Sequence, residues 1–183
     1  MDQVIVHVGC MSLKDSQELA RHAAHIGASG IAVIAPSFFK PSTAEVLQTF
    51  LQEIAAVAPT LPFYYYHLPA VTGVKVPARE VLQNIEKLIP SFSGVKFSGS
   101  DLLDFGQCVS CSPPHWSLLY GVDEFQLQEL LSYAIKLGFD LGVNKQLMIE
   151  VSGLSLGPPR LPVRPCPHPH AKEIAHKYQT IFL

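Results

Sequence analysis

Short apolar runs of β-type composition alternate along this chain with amphipathic helical patterns. No other feature restricts the fold as much. Val4–Val8 (VIVHV), Gly30–Ala35 (GIAVIA), Phe63–His67 (FYYYH), Phe92–Ser98 (FSGVKFS) and Ser117–Val122 (SLLYGV) read as strands. Ser12 is placed to cap a helix with Leu13, Leu19, Ala20, Ala23 and Ile26 on one face, closing at Gly27. Ser42-Thr43-Ala44-Glu45 reads as a capping box ahead of a face formed by Val46, Phe50, Ile54 and Val57. Pro77 opens a third helix, with Val81, Leu82, Ile85 and Leu88 on its apolar face. Helical patterns also cover Asp101–Val109, Glu124–Leu137 and Asn144–Val151. Strand–helix–strand repetition means parallel strands joined by right-handed crossovers. GIAVIA, apolar on both faces, suits a parallel strand covered by helices. Two architectures fit, an open doubly wound sheet and a (β/α)8 barrel. HVGCMS after the first strand lacks G-x-G-x-x-G, which counts against the dinucleotide-binding version.

With 183 residues, 48% hydrophobic and 15% charged, the chain can bury the core of one globular domain. A formal charge of −2 gives no reason to expect nucleic acid or an anionic membrane as partner. Apolar runs such as Gly30–Pro36 stop far short of the roughly 20 residues a membrane span requires. MDQVIVHVG has an acid where a secretory signal would carry bases, so the expected location is cytoplasmic. Cys10, Cys108, Cys111 and Cys166 are too irregularly spaced for a disulfide framework. Neither Cys108-Val109-Ser110-Cys111 nor the Cys166-Pro167-His168-Pro169-His170 stretch has the partners of a zinc site, and no metal is expected. From Gly157 the text is too proline-rich for regular structure, which divides the chain at 1–156 and 157–183. A last amphipathic helix is read over Ala171–Leu183.

The fourth strand carries a lysine at its centre. Side chains alternate along a strand, so Val95 and Phe97 point one way while Lys96 and Ser98 point the other. An ammonium on an inward face is costly unless it is paired or gives up its proton, and the free amine attacks carbonyls. A lysine near a strand end can equally snorkel into solvent. In parallel α/β folds, working residues sit where strands end. The third, fourth and fifth strands end in Tyr66-His67, Lys96-Phe97-Ser98 and Gly121-Val122-Asp123-Glu124. A phenol, an amine, a hydroxyl and two carboxylates at one rim suit imine chemistry on a keto acid that bears sugar-like hydroxyls. Each has a plainer explanation, since tyrosines pack in strands and Asp123-Glu124 can cap the following helix. Their arrival at successive strand ends favours the chemical one.

FYYYHLPAVTGVK (Phe63–Lys75), FSGVKFSGSDLLDFGQC (Phe92–Cys108), LYGVDE (Leu119–Glu124) and VSGLSLGPPRLP (Val151–Pro162) resemble the pyruvate-dependent class I aldolases. That family joins dihydrodipicolinate synthase to N-acetylneuraminate lyase, and GVDE and GPPRLP resemble the sialic acid branch in its animal form. Similarity covers Asp2 to about Ser132 and Ile135–Pro162. The resemblance implies a Schiff base on Lys96, a proton-transferring phenol at Tyr66, and Ser98, Gly121, Asp123 and Glu124 along the sugar hydroxyls. It also implies sialic acid and pyruvate as small-molecule partners. No cofactor is implied, because the iminium is itself the electron sink. His67 stands where bacterial relatives carry asparagine, and the resemblance gives it no contact with substrate.

The chain also departs from the family pattern. Its G-[ST]-T-G-E carboxylate loop is nowhere in the sequence, and near Leu131–Ile135 the text passes over an eighth strand and its serine. The expected architecture is therefore a partial (β/α)8 TIM barrel of five parallel strands, lacking the first two and the last, as in a truncated form. Closure is what removes sheet edges, so the first and last strands should present open ones. By resemblance the chain forms a homotetramer. The alternative is an inactive form that pairs with full-length lyase subunits.

Overall fold

The computed structural model describes residues 4–122, 141–153, 157–165 and 171–176. The chain divides into two compact units, Met1–Val122 and Asp123–Leu183. The first unit is a five-stranded parallel sheet in the order β1-β2-β3-β4-β5, from Ile5–His7, Gly30–Ile34, Phe63–His67, Phe92–Phe97 and Ser117–Tyr120. All five expected strands form, in sequence order, as successive crossovers of one hand require. The order does not return to its start, so β1 and β5 are the edges among the described residues. This is the arc of an unclosed barrel, as expected.

One face of the arc is the core. Val8, Ile31, Val33, Phe63, Tyr65, Val95 and Phe97 are buried there with Leu47, Leu51, Val81 and Ile85 from the helices. Those helices are α1 (Leu13–His25), α2 (Ala44–Ala55), α3 (Pro69–Thr72), α4 (Ala78–Leu82), α5 (Ile85–Leu88) and α6 (Leu102–Cys111). Alternation along β3 leaves Phe63, Tyr65 and His67 buried and Tyr64 and Tyr66 half-buried, which assigns the latter two to the open face.

Three helical readings need correction. On α1, Leu19 and Ile26 are exposed, and the buried residues are Ser16, Ala20 and Ala23. Small side chains bring this helix close to its neighbours, and the Ser16 hydroxyl accepts from Cys10 N–H at 2.9 Å. On α2 the cap is Thr43, whose hydroxyl accepts from Val46 N–H at 3.4 Å, one residue later than the capping-box reading. The buried face is Leu47, Gln48, Leu51 and Ile54, while Val46 is exposed. A polar residue inside the stripe disguised it.

That residue, Gln48, also takes part in the third correction. The helix expected from Pro77 breaks into α4 and α5 at Gln83-Asn84, with Asn84 at φ 57°, a left-handed conformation asparagine tolerates. The break frees backbone carbonyls, and the Gln48 amide donates to Val81 O at 2.9 Å and Gln83 O at 3.0 Å. Pro77 has no capping side chain for α4. Asp104, reaching across from α6, accepts from Ala78 N–H at 2.8 Å and Arg79 N–H at 3.1 Å.

In the second unit, helix α7 (Leu141–Ser152) ends at Gly153, and residues 171–176 are helical. Glu124–Leu137 lies outside the described residues. Among those described, no helix is long and apolar enough to cross a membrane.

Candidate active site

Tyr66 and Lys96 are register partners on adjacent strands, so the pleat points both side chains to the open face of the arc. Lys96 is half-buried, with Nζ 3.8 Å from the centroid of the Tyr66 ring, within cation–π range. The same Nζ donates to Ser98 Oγ at 3.2 Å. The ladder continues past the formal strand ends to place the next two residues. Ser98 N–H donates to His67 O at 2.8 Å, and Gly121 N–H to Phe97 O at 2.8 Å. A Cβ on Gly121 would stand 2.9 Å from Ser98 Oγ and 3.5 Å from Lys96 Nζ. Glycine thus lets β5 pass beside the amine without displacing the Ser98 hydroxyl.

Four of the six residues singled out in the sequence, Tyr66, Lys96, Ser98 and Gly121, therefore come together. Asp123 and Glu124 lie outside the described residues. The arrangement offers an amine held by a hydroxyl and a ring face, with a phenol alongside. That is a nucleophile and a proton donor within one carbonyl's reach.

Sequence reading missed His7. It projects from β1 onto the same face, and its ring meets Tyr66 edge-on, with centroids 6.0 Å apart and planes at 86°. The side chain is exposed, but partial desolvation and secondarily the Lys96 charge hold its pKa below the usual 6.5. The available signal was one polar residue in phase with the inward positions of an otherwise apolar strand.

Behind the sheet lies a separate buried group. The Tyr65 hydroxyl and His67 Nδ1 share a hydrogen bond at 3.2 Å, and the His67 ring packs on Phe97 with centroids 4.7 Å apart. Burial lowers the His67 pKa, against the opposing pull of Asp104 and Asp101. Burial also raises Tyr65, with Asp104 adding to it. The Cys108 thiol is pushed up to about 12, by burial first and Asp104 second. His67 thus faces away from Lys96, in keeping with a supporting position. Cys108 is buried and Cys111 exposed, both as free thiols on α6. A groove of about 1220 Å³ lined by Lys40, Thr43, Lys75, Glu80 and Lys87 lies at the start of α2 and includes none of the residues around Lys96.

Comparison with known proteins agrees with this geometry. The Dihydrodipicolinate synthetase family matches residues 3–144. The N-acetylneuraminate lyase of Danio rerio is 50% identical over 222 aligned positions, covering 97% of this chain and 72% of that one. The Homo sapiens enzyme of the same name is 46% identical, covering 90% of this chain and 65% of its own length. The chain thus spans about two thirds of its human relative. The zebrafish alignment is longer than this chain, so the relative fills positions that are empty here. Among solved structures, Proteus mirabilis N-acetylneuraminate lyase superposes with a TM-score of 0.71 at 26% identity, over 98% of this chain and 75% of that one. A strand order, a lysine–tyrosine pair and a match over most of the length lead to one conclusion: the chain belongs to the dihydrodipicolinate synthetase family.

Proposed function

We propose that this protein is an imine-forming aldolase that cleaves N-acetylneuraminate to N-acetylmannosamine and pyruvate. One observation carries the proposal. The Lys96 amine lies over the ring of Tyr66 and beside the Ser98 hydroxyl, in a chain about half identical to curated lyases of that name. Lys96 Nζ adds as the free amine to the C2 keto carbon of the open-chain sugar, and the keto oxygen leaves as water with one proton from the amine and one from the Tyr66 phenol, giving an iminium and a Tyr66 phenolate. The C3–C4 bond breaks with its electron pair flowing into the iminium to form an enamine. The C4 hydroxyl loses its proton to the Tyr66 oxygen and becomes the aldehyde of the released sugar. Protonation of the enamine at C3 and hydrolysis return pyruvate and the free amine. Ser98 and Gly121 border the sugar side. The protein works in the cytoplasm as a homotetramer.

Borohydride reduction in the presence of pyruvate, followed by mass spectrometry, tests the assignment. A stable adduct on the Lys96 peptide is expected, with none in Lys96→Ala. An undiminished adduct in that variant would refute it.

The edge strands β1 and β5, unpaired among the described residues, favour a second reading, a non-cleaving form that associates with full-length lyase subunits. Co-expression with an intact lyase and size-exclusion chromatography separate the two. A soluble fragment that elutes alone and cleaves sialic acid would eliminate the second.

A further inference from the structure

Among the described residues the Tyr66 hydroxyl makes no hydrogen bond, and the polar contact on its ring is the Lys96 amine. Two ring contacts bear on its orientation among the described residues, the Lys96 amine over the face and the edge-on imidazole of His7. His7 pairs with Ala32 on β2 and Tyr66 with Ile34, which places His7 one pleat nearer the N-terminal ends of the strands. It therefore supports Tyr66 from below the level of the amine, reaching past the small side chain of Ala32. The neighbouring chain leaves the imidazole room. A Cβ on Gly9 would lie 2.8 Å from Ile34 N and 3.1 Å from His7 Nε2.

We propose that His7 is a positioning residue whose imidazole fixes the Tyr66 ring edge-on, and with it the approach of the phenol to the imine formed on Lys96. The inference rests on the aldolase reading for its catalytic consequence and on the ring geometry for its structural one. The titratable groups on the same face as His7 are Lys96 from β4 and Tyr66 and Tyr64 from β3, Tyr64 level with His7 across Ala32 of β2. A neutral ring suits this place, because a cation here would stand against the Lys96 charge. Partial desolvation and that charge both lower the His7 pKa, which favours the neutral ring.

The test compares His7→Ala with His7→Phe, which keeps a ring and loses the nitrogens. Two half-reactions separate the roles of Lys96 and Tyr66. Borohydride trapping of pyruvate reports imine formation, and deuterium uptake at the pyruvate methyl reports the later proton transfer. A misplacement near 1 Å can cost roughly 100-fold in a positioned step. His7→Ala should accordingly leave trapping within about twofold and slow deuterium uptake by about 10–100-fold, with His7→Phe restoring most of the rate. A third readout needs no ligand. With Lys96 Nζ 3.8 Å from the Tyr66 centroid, the adjoining ε-methylene protons should feel the ring current, and their upfield NMR shift should vanish in His7→Ala and persist in His7→Phe. An unmoved shift in His7→Ala, or an equal loss of trapping and uptake, would overturn the proposal. If the unsubstituted chain gave no adduct, the aldolase reading would fall and the ring-current comparison would decide His7 by itself.

Discussion

Replacing Asp104 with alanine should destabilise the first unit far more than its single ion pair suggests. The Asp104 carboxylate is buried at 3% exposure and accepts from two backbone N–H groups, Ala78 at 2.8 Å and Arg79 at 3.1 Å. It also meets Arg79 Nη1 at 3.5 Å, but that guanidinium side chain is 43% exposed. An exposed partner at that distance contributes about 0–1 kcal/mol. The backbone bonds matter more. A hydrogen bond to a charged group is worth about 1.5–3 kcal/mol net, and a lost helix cap typically costs ~1 kcal/mol. Removing a buried carboxylate returns part of this as relieved desolvation, which leaves about 3 kcal/mol as the net loss. For a chain of this size each kcal/mol moves the melting temperature by roughly 2–4 °C, so Asp104→Ala should melt about 10 °C lower. Arg79→Ala keeps both backbone N–H groups capped and should melt within about 3 °C of the parent. Circular dichroism melts give the comparison, and amide exchange locates it, since Ala78 and Arg79 should lose protection in Asp104→Ala alone. Equal shifts in the two variants would show that the ion pair, not the cap, carries the stabilisation.

Gln48→Leu leaves Val81 O and Gln83 O without their donor, and should cost about 1–3 kcal/mol despite added apolar surface. An unchanged urea midpoint would contradict that. His67 has its pKa lowered on folding, so the unfolded ring takes up a proton that the folded one refuses. Its stabilising contribution is complete above the ordinary histidine value of about 6.5 and is lost as pH falls toward the lowered one. Melting temperature should drop from pH 7.5 to 5.5, and His67→Gln should flatten the drop; a parallel slope would refute the assignment. Gly121→Ala would press a methyl group against Ser98 Oγ and so displace the hydroxyl that accepts from Lys96 Nζ. Pyruvate trapping should slow about 10-fold or more, with little change in melting temperature, and trapping at the parent rate would contradict the close approach.

The strands were legible because each is a short apolar run whose period of two survives burial on one face. All five expected runs form, within two residues at each end. Helix faces were read less well, for a local reason. An i, i+4 pattern on α2 admits two neighbouring stripes, and the buried one contains Gln48, which counts as polar until its carbonyl partners on Val81 and Gln83 are known. Those carbonyls are accessible only because Asn84 breaks the following helix. Both errors thus arise from one tertiary contact, which no pattern within either segment contains.

The site divides in the same way. Tyr66, Lys96, Ser98 and Gly121 were found because strand alternation and strand ends are properties of single segments, and parallel pairing in sequence order then brings the segments together. His7 escaped because its meaning depends on reach across a strand. It touches Tyr66 only past Ala32, and the alanine is as necessary to that contact as the histidine. A nucleophile can be suspected from its own strand, since an inward lysine is anomalous wherever it occurs. The residue that steadies its proton donor is ordinary in its own segment and becomes informative only once the order of the sheet is known.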